Sequence, residues 1–324
     1  MANCSDLFKK FNGEGYLKVP QSKIDKLNLS DENVRNVIKT YFEKNHPNYI
    51  PKFYLQGSNK MGTMIKTKDD TCDMDDGIYF KSNPDNVTAT TLQKWVKEAV
   101  EGITESSPAH RKKCITLDFA AGYNIDLPIL LFNKDEDEHP QLAVKGSDFI
   151  TDDPKEFFEY FNINATAQLI RIIRFLKAWC DFKRHKMPSG LAMTILALNN
   201  FQKNDRDDVS LKFTLVEIEK SLKSNFRCIM PTTPKDNLFR DYDIKLQDSH
   251  ATREENFMSN LADFIKDAKA AVDEEKNQLA ASKKWKKHLG DRFPDGEDKD
   301  EESVSATSLS STIGTVKPYY EKTL

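Results

Sequence analysis

Residues 56–80 read QGSNKMGTMIKTKDDTCDMDDGIYF, and this stretch decides how the rest of the chain is read. It opens on Gln56-Gly57-Ser58 and, 15 residues past Ser58, reaches Asp73-Met74-Asp75-Asp76 at the head of the apolar run Ile78-Tyr79-Phe80. On a strand, residues i and i+2 face the same way. Asp73 and Asp75 therefore present their carboxylates together, and Asp76 leaves that face. A further carboxylate stands in Asn124-Ile125-Asp126, where Ile125, Leu127 and Ile129 alternate with Asp126 toward the opposite, buried side. A lone carboxylate inside an apolar strand is costly unless it binds something.

Phosphoryl transfer from a nucleoside triphosphate explains this set. It needs two Mg²⁺ ions about 3.5–4 Å apart, one at the attacking hydroxyl and one at the triphosphate. Mg²⁺ takes oxygen ligands and keeps several waters, so a few carboxylates suffice. Asp73 and Asp75 can bridge both ions, and Asp126 completes the site on the attacking side. Glycine lets the backbone approach phosphates closely. The N–H groups at Gly57 and the Ser58 hydroxyl can then bind phosphate oxygens.

Outward from this stretch, residues 30–44 read as a helix capped by Ser30, with Val34, Val37, Ile38, Tyr41 and Phe42 on one face. Residues 53–56, 73–80, 114–119 and 125–132 have strand character, and 91–100 are helical. From about residue 155 the texture is helical: 165–184 is strongly amphipathic, Ser189 can cap a helix running to Phe201, and 211–225 and 254–289 follow. Strands first and helices after imply an α+β fold. The expected division is 1–160 as a core with its N-terminal helix, 161–296 as a helical part completing a cleft, and 297–324 as a flexible tail. The tail is expected from the charge run 295–302 and the Ser/Thr-rich 303–312.

The 324 residues carry 48 Lys+Arg against 51 Asp+Glu, a net charge of -3, which argues against an obligatory nucleic-acid partner. No apolar run approaches the roughly 18 residues of a membrane span. The N-terminus MANCSDLFKK has no signal-peptide h-region. Cys4, Cys72, Cys114, Cys180 and Cys228 are scattered and odd in number, with no C-x-x-C, so reduced thiols and a cytoplasmic location are expected. No histidine spacing indicates a metal. Trp95, Trp179 and Trp285 read as packing residues, and the lysines at 283, 284, 286 and 287 as a solvated helix face.

GSNKMGTMIKTKDDTCDMDDGIYF, GYNIDLPI, RIIRFLKAWCD and PSGLAMTILAL together resemble the bacterial cyclic GMP-AMP synthase-like nucleotidyltransferases, the CD-NTases. The resemblance runs from about residue 30 to 296. It implies a polymerase-β-type nucleotidyltransferase core with a mixed sheet, cradled by a helical domain. It implies Asp73, Asp75 and Asp126 as catalytic metal ligands for two Mg²⁺, with Asp126 helping to deprotonate a ribose hydroxyl. Gln56, Gly57, Ser58, Lys177 and Ser189 would hold the nucleotide. The implied activity is synthesis of a cyclic oligonucleotide, a purine cyclic dinucleotide like cyclic GMP-AMP, from ATP and GTP, as a second messenger in antiphage defence. The implied further partner is a regulatory or conjugating protein at the C-terminal tail. Met61 departs from the family, which has an aromatic after the Gly-Ser. Two other readings compete: a nucleotidyltransferase acting on RNA ends or a small acceptor, and a nucleotide-binding module without turnover.

Overall fold

The computed structural model describes residues 1–132, 138–244 and 251–300. Helices α1 (Ser5–Phe11) and α2 (Gln21–Asn45) precede β1 (Lys52–Gln56), the single turn α3 (Gly57–Lys60) and β2 (Cys72–Phe80). Then come α4 (Ala89–Ala99), β3 (Ala109–His110), β4 (Cys114–Phe119), β5 (Tyr123–Leu131), β6 (Gln141–Ala143) and β7 (Phe149–Thr151). The rest is helical: α5 (Pro154–Asn164), α6 (Ala167–Lys183), α7 (Gly190–Asn200), α8 (Asp207–Ser224), α9 (Arg253–Lys269), a π-helical turn (Ala270–Glu274) and α10 (Gln278–Leu289).

The sheet runs β1-β2-β5-β4-β3, with β6 on β5 and β7 on β6. β2 and β5 are parallel and the other pairs antiparallel, so the sheet is mixed and the fold is α+β, as expected. Met74, Ile78 and Phe80 of β2 join Ile125, Leu127 and Ile129 of β5 in a core covered by α2 and α4. α2 begins at Gln21 rather than at Ser30. Its buried stripe is Leu27, Asp31, Val34, Ile38 and Phe42, and the charge at Asp31 hides the first turns from a hydrophobicity pattern. Ser30 caps nothing; its hydroxyl lies 2.9 Å from that of Tyr123.

A second core belongs to the helices. Trp179 and Trp285 are fully buried there, whereas Trp95 stacks on His46 beside the sheet. The first residues of the chain sit in this core too, which corrects the boundary drawn around residues 1–160. Phe8 contacts the rings of Phe175, Trp285 and Phe293 at 4.9–5.0 Å between centroids. Phe157 and Phe161 of α5 are buried with them. The helix expected over 254–289 is broken, because Asn277 caps a new helix by accepting from the Ala280 N–H.

The boundary at 296 also moves. Glu297 donates its N–H to Gln278 Oε1, and the carbonyls of Glu297 and Lys299 accept from Leu279 and Gln278. The chain through Asp300 is thus tied to the start of α10. The rest of the expected tail, 301–324, lies outside the described residues.

Candidate active site

The β2–β5 ladder builds the site. Asp75 pairs in register with Asp126, and Asp73 with Asn124, so carboxylates 51 residues apart in sequence become neighbours on adjacent strands. All three line a cleft of about 830 Å³, together with Gln56, Gly57, Ser58 and Lys177. Gly57 has φ +64°, and a Cβ there would lie 1.9 Å from Asp75 Oδ2. The turn must therefore be glycine both for its backbone angle and for the space the carboxylate occupies. Asp76 points to the other face, where Arg35 donates two hydrogen bonds of 2.7 Å to it.

The cleft holds negative charge without matching cations. Burial, then the charges of Asp126 and Asp73, push the Asp75 carboxyl up to about 7, against the pull of Lys177. Burial and Asp126 raise Asp73 as well. Across the cleft, burial lowers Lys177 to about 8, while Asp75 opposes that shift. An all-oxygen set in which the charge of Asp126 raises both Asp73 and Asp75 fits a hard divalent cation, which would replace the proton that Asp75 otherwise retains. Asp126 is itself held: the Thr116 hydroxyl donates to its Oδ1, and Cys114 Sγ lies 3.6 Å from the same oxygen.

The remaining candidates divide. Ser58 is the second residue of α3, and its carbonyl accepts the N–H groups of Thr63 and Met64. Gln56 is buried, and its Oε1 accepts from the Tyr79 hydroxyl at 3.4 Å and occupies the space a Cβ on Gly77 would need. Lys177 Nζ donates to Thr63 Oγ1 at 3.0 Å and reaches the Thr63 carbonyl at 3.3 Å. Ser189 caps α7 by accepting from the Ala192 N–H. It is absent from the cleft lining, although Pro188 and Gly190 belong to it. Met61, where the resemblance implied an aromatic, is 8% exposed and packs in the helical core.

Sequence reasoning missed the clamp on the segment between the Gly-Ser turn and the Asp-x-Asp. Arg174 donates to the Gly62 carbonyl, Asp181 accepts the Lys68 N–H at 2.7 Å, and Arg184 pairs with Asp69 at 2.6 Å. It also missed Asp152, Phe157 and Phe158, which line the same cleft. His139, Asp153 and Glu156 come close enough to share an ion, a grouping that sequence spacing concealed. They also bond one another, with His139 Nδ1 3.0 Å from Asp153.

Residues 51–130 match the model of the nucleotidyltransferase domain of the cyclic GMP-AMP synthase DncV-like family. Over these residues the chain is similar to a DncV-like nucleotidyltransferase domain. The match holds Gln56-Gly57-Ser58 and all three carboxylates; Lys177 and Ser189 lie beyond it. Among solved structures, the fold is similar to Vibrio cholerae DncV cyclic AMP-GMP synthase, at TM-score 0.75 and 18% identity over 91% of this chain and 98% of that one. The same synthase in complex with the linear intermediate 5′ pppA(3′,5′)pG gives TM-score 0.74 and 19% identity, over 91% and 98% of the two chains. A mutant of the Vibrio cholerae di-nucleotide cyclase with ATP, GTP and 5MTHFGLU2 gives 0.75 and 18%, over 90% and 97%. At these identities the likeness shows the fold, here a DncV-like α+β nucleotidyltransferase fold that extends well past the matched domain. Among the described residues, no helix is long and apolar enough to cross a membrane.

Proposed function

We propose that the chain is a cyclic dinucleotide synthase that joins two nucleoside triphosphates, ATP and GTP being the favoured pair, and closes the ring in the same cleft. The observation that carries the reading is the convergence of Asp73, Asp75 and Asp126 beneath Lys177 in one cleft. Its volume lies near the top of the roughly 300–1,000 Å³ range of small-molecule sites, which suits a site that takes two nucleotides. The Vibrio cholerae synthase, which forms complexes with ATP, GTP and a linear 5′ pppA(3′,5′)pG intermediate, supports the same direction.

In this reading Asp73, Asp75 and Asp126 are the residues that would hold Mg²⁺, with Asp126 on the side of the attacking hydroxyl. Mg²⁺, when bound, would neutralise the triphosphate and favour ionisation of that hydroxyl. Asp126 accepts the proton as the ribose oxygen bonds to the α-phosphorus of the donor nucleotide. The bond from that phosphorus to the β-phosphate bridging oxygen breaks, and pyrophosphate leaves. Gly57 and Ser58 grip the triphosphate through backbone N–H groups and the hydroxyl. Lys177, freed from Thr63, supplies the cation opposite the carboxylates. The linear product then turns over and presents its free hydroxyl for a second, identical step. The product serves as a second messenger in antiphage defence.

Incubation with four labelled triphosphates and Mg²⁺, followed by mass analysis, tests this. We expect a cyclic dinucleotide and pyrophosphate without added nucleic acid. Linear products alone, labelled product only once an RNA end is supplied, or no pyrophosphate, overturns it.

A further inference from the structure

We infer that Thr116 is the positioning residue of the attacking-side carboxylate: its hydroxyl occupies Asp126 Oδ1 and so assigns Oδ2 to the metal and the ribose hydroxyl. The inference rests on the nucleotidyltransferase reading above and deepens it.

The antiparallel β4–β5 register sets Thr116 directly opposite Asp126. Cys114, Thr116 and Asp118 alternate on one face of β4, so this face looks across at Asp126 and its neighbours. Thr116 is 6% exposed, and its hydroxyl donates to Oδ1. The only other donor to Asp126 among the described residues is Cys114 Sγ, and it reaches the same Oδ1. Nothing described donates to Oδ2. A hydroxyl bonded to a carboxylate oxygen draws on the lone pair that a cation or a proton would use. The two oxygens of Asp126 are therefore unequal, and the carboxylate cannot rotate without losing a buried bond. Partners of this kind around metal-ligating carboxylates fix their orientation, and losing one typically costs about 10–100-fold in metal affinity or activity.

Threonine also suits the place for reasons of its own. Its Cβ branching stiffens χ1 on a strand, so the hydroxyl is delivered in one direction. Valine has the same shape without the donor. Serine keeps the donor with a freer rotor.

The experiment compares the parent protein with T116V and T116S. The first readout is Mn²⁺ affinity, measured by electron paramagnetic resonance with a non-hydrolysable nucleoside triphosphate present. The second is kcat and KM for pyrophosphate release. T116V should bind Mn²⁺ about 10-fold or more weaker and lose kcat by about 10–100-fold, with KM for the triphosphate little changed because Gly57, Ser58 and Lys177 are untouched. T116S should restore most of both. Parental Mn²⁺ affinity and kcat in T116V overturn the positioning role, as does a T116S that fails as badly as T116V with an unchanged melting temperature. A parent protein that releases no pyrophosphate from any nucleotide takes down the reading beneath it; a parent that releases pyrophosphate beside an unaffected T116V takes down only this inference.

Discussion

Two groups of carboxylates sit back to back on β2, one residue apart. On the cleft side, Asp73 and Asp75 face Asp126 with Lys177 as the nearby cation. On the helix side, Asp76 is fully buried and takes a bidentate pair from Arg35, which also reaches Asp31 at 3.0 Å. The helix-side group shares one guanidinium between two carboxylates and ties α2 to the sheet. The cleft-side group is left short of positive charge, which a cation from solution would supply under the proposed function. The same residue type thus ties elements together where Arg35 holds it and, under the proposed function, would serve chemistry where it lines the cleft.

The sharpest way to break this comparison is D126N. Loss of a proton acceptor alone costs about 10²–10⁴-fold in rate, and product formation should fall at least that far. The metal-free protein should melt no lower than the parent. Like charges repel by about 1 kcal/mol per pair at 4 Å even at water-like screening, and the variant removes one charge. Early unfolding would instead place Asp126 with the structural group. R35M asks the opposite question. Removing the partner of a buried carboxylate costs about 3–5 kcal/mol, so chemical denaturation should show a large loss of stability. An unchanged midpoint would mean that Asp76 is not held as a buried ion.

A gentler effect follows from pH. The folded-state pKa of Asp75 is raised, so its contribution to stability is present below the unfolded value near 4 and is lost as pH rises through about 7. Asp31, also pushed up to about 7 by burial and Asp76, has the same sign. Without Mg²⁺ the melting temperature should therefore carry a falling component between about pH 4 and 7. With Mg²⁺ the cleft-side share should vanish, and apparent Mg²⁺ affinity should strengthen as pH rises through 7. Melts with and without the ion across that range separate the two groups; identical curves would deny the cleft its metal. The smallest effect concerns Ser189, whose hydroxyl is already committed to a backbone N–H. S189A should lower stability by about 0.5–2 kcal/mol and leave triphosphate affinity as it was. A loss of affinity without a loss of stability would move Ser189 into the nucleotide site.

The cleft-side group was legible because strand periodicity acts over two residues. Asp73 and Asp75 share a face whatever else the chain does, and Ile125, Leu127 and Ile129 dictate where Asp126 points. The helix-side group was not, because the Arg35–Asp76 pair joins a helix to a strand 41 residues away. Thr116 was hidden for the same reason: only the β4–β5 register sets it against Asp126. The N-terminal seven-residue α1 escaped notice since Phe8 and Phe11 gain their meaning from Phe175, Trp285 and Phe293, far along the chain. Lys177 and Ser189 entered together through one resemblance, and the geometry parts them: one side chain lines the cleft, the other ends a helix.

The parallel ladder between β2 and β5 also governs which changes of length the chain can survive. A shift of one residue between these strands would turn Asp126 inward and bring Ile125 or Leu127 out into the cleft. The alignment that buries the apolar side chains is thus the same alignment that assembles the carboxylates. Insertions or deletions inside 72–80 or 123–131 should abolish folding and function together. The connection between them, from Lys81 through α4 to β4, crosses over on the far side of the core and can lengthen at its turns without moving either strand. Variation in chain length among proteins of this fold should accordingly gather in that crossover and avoid the ladder.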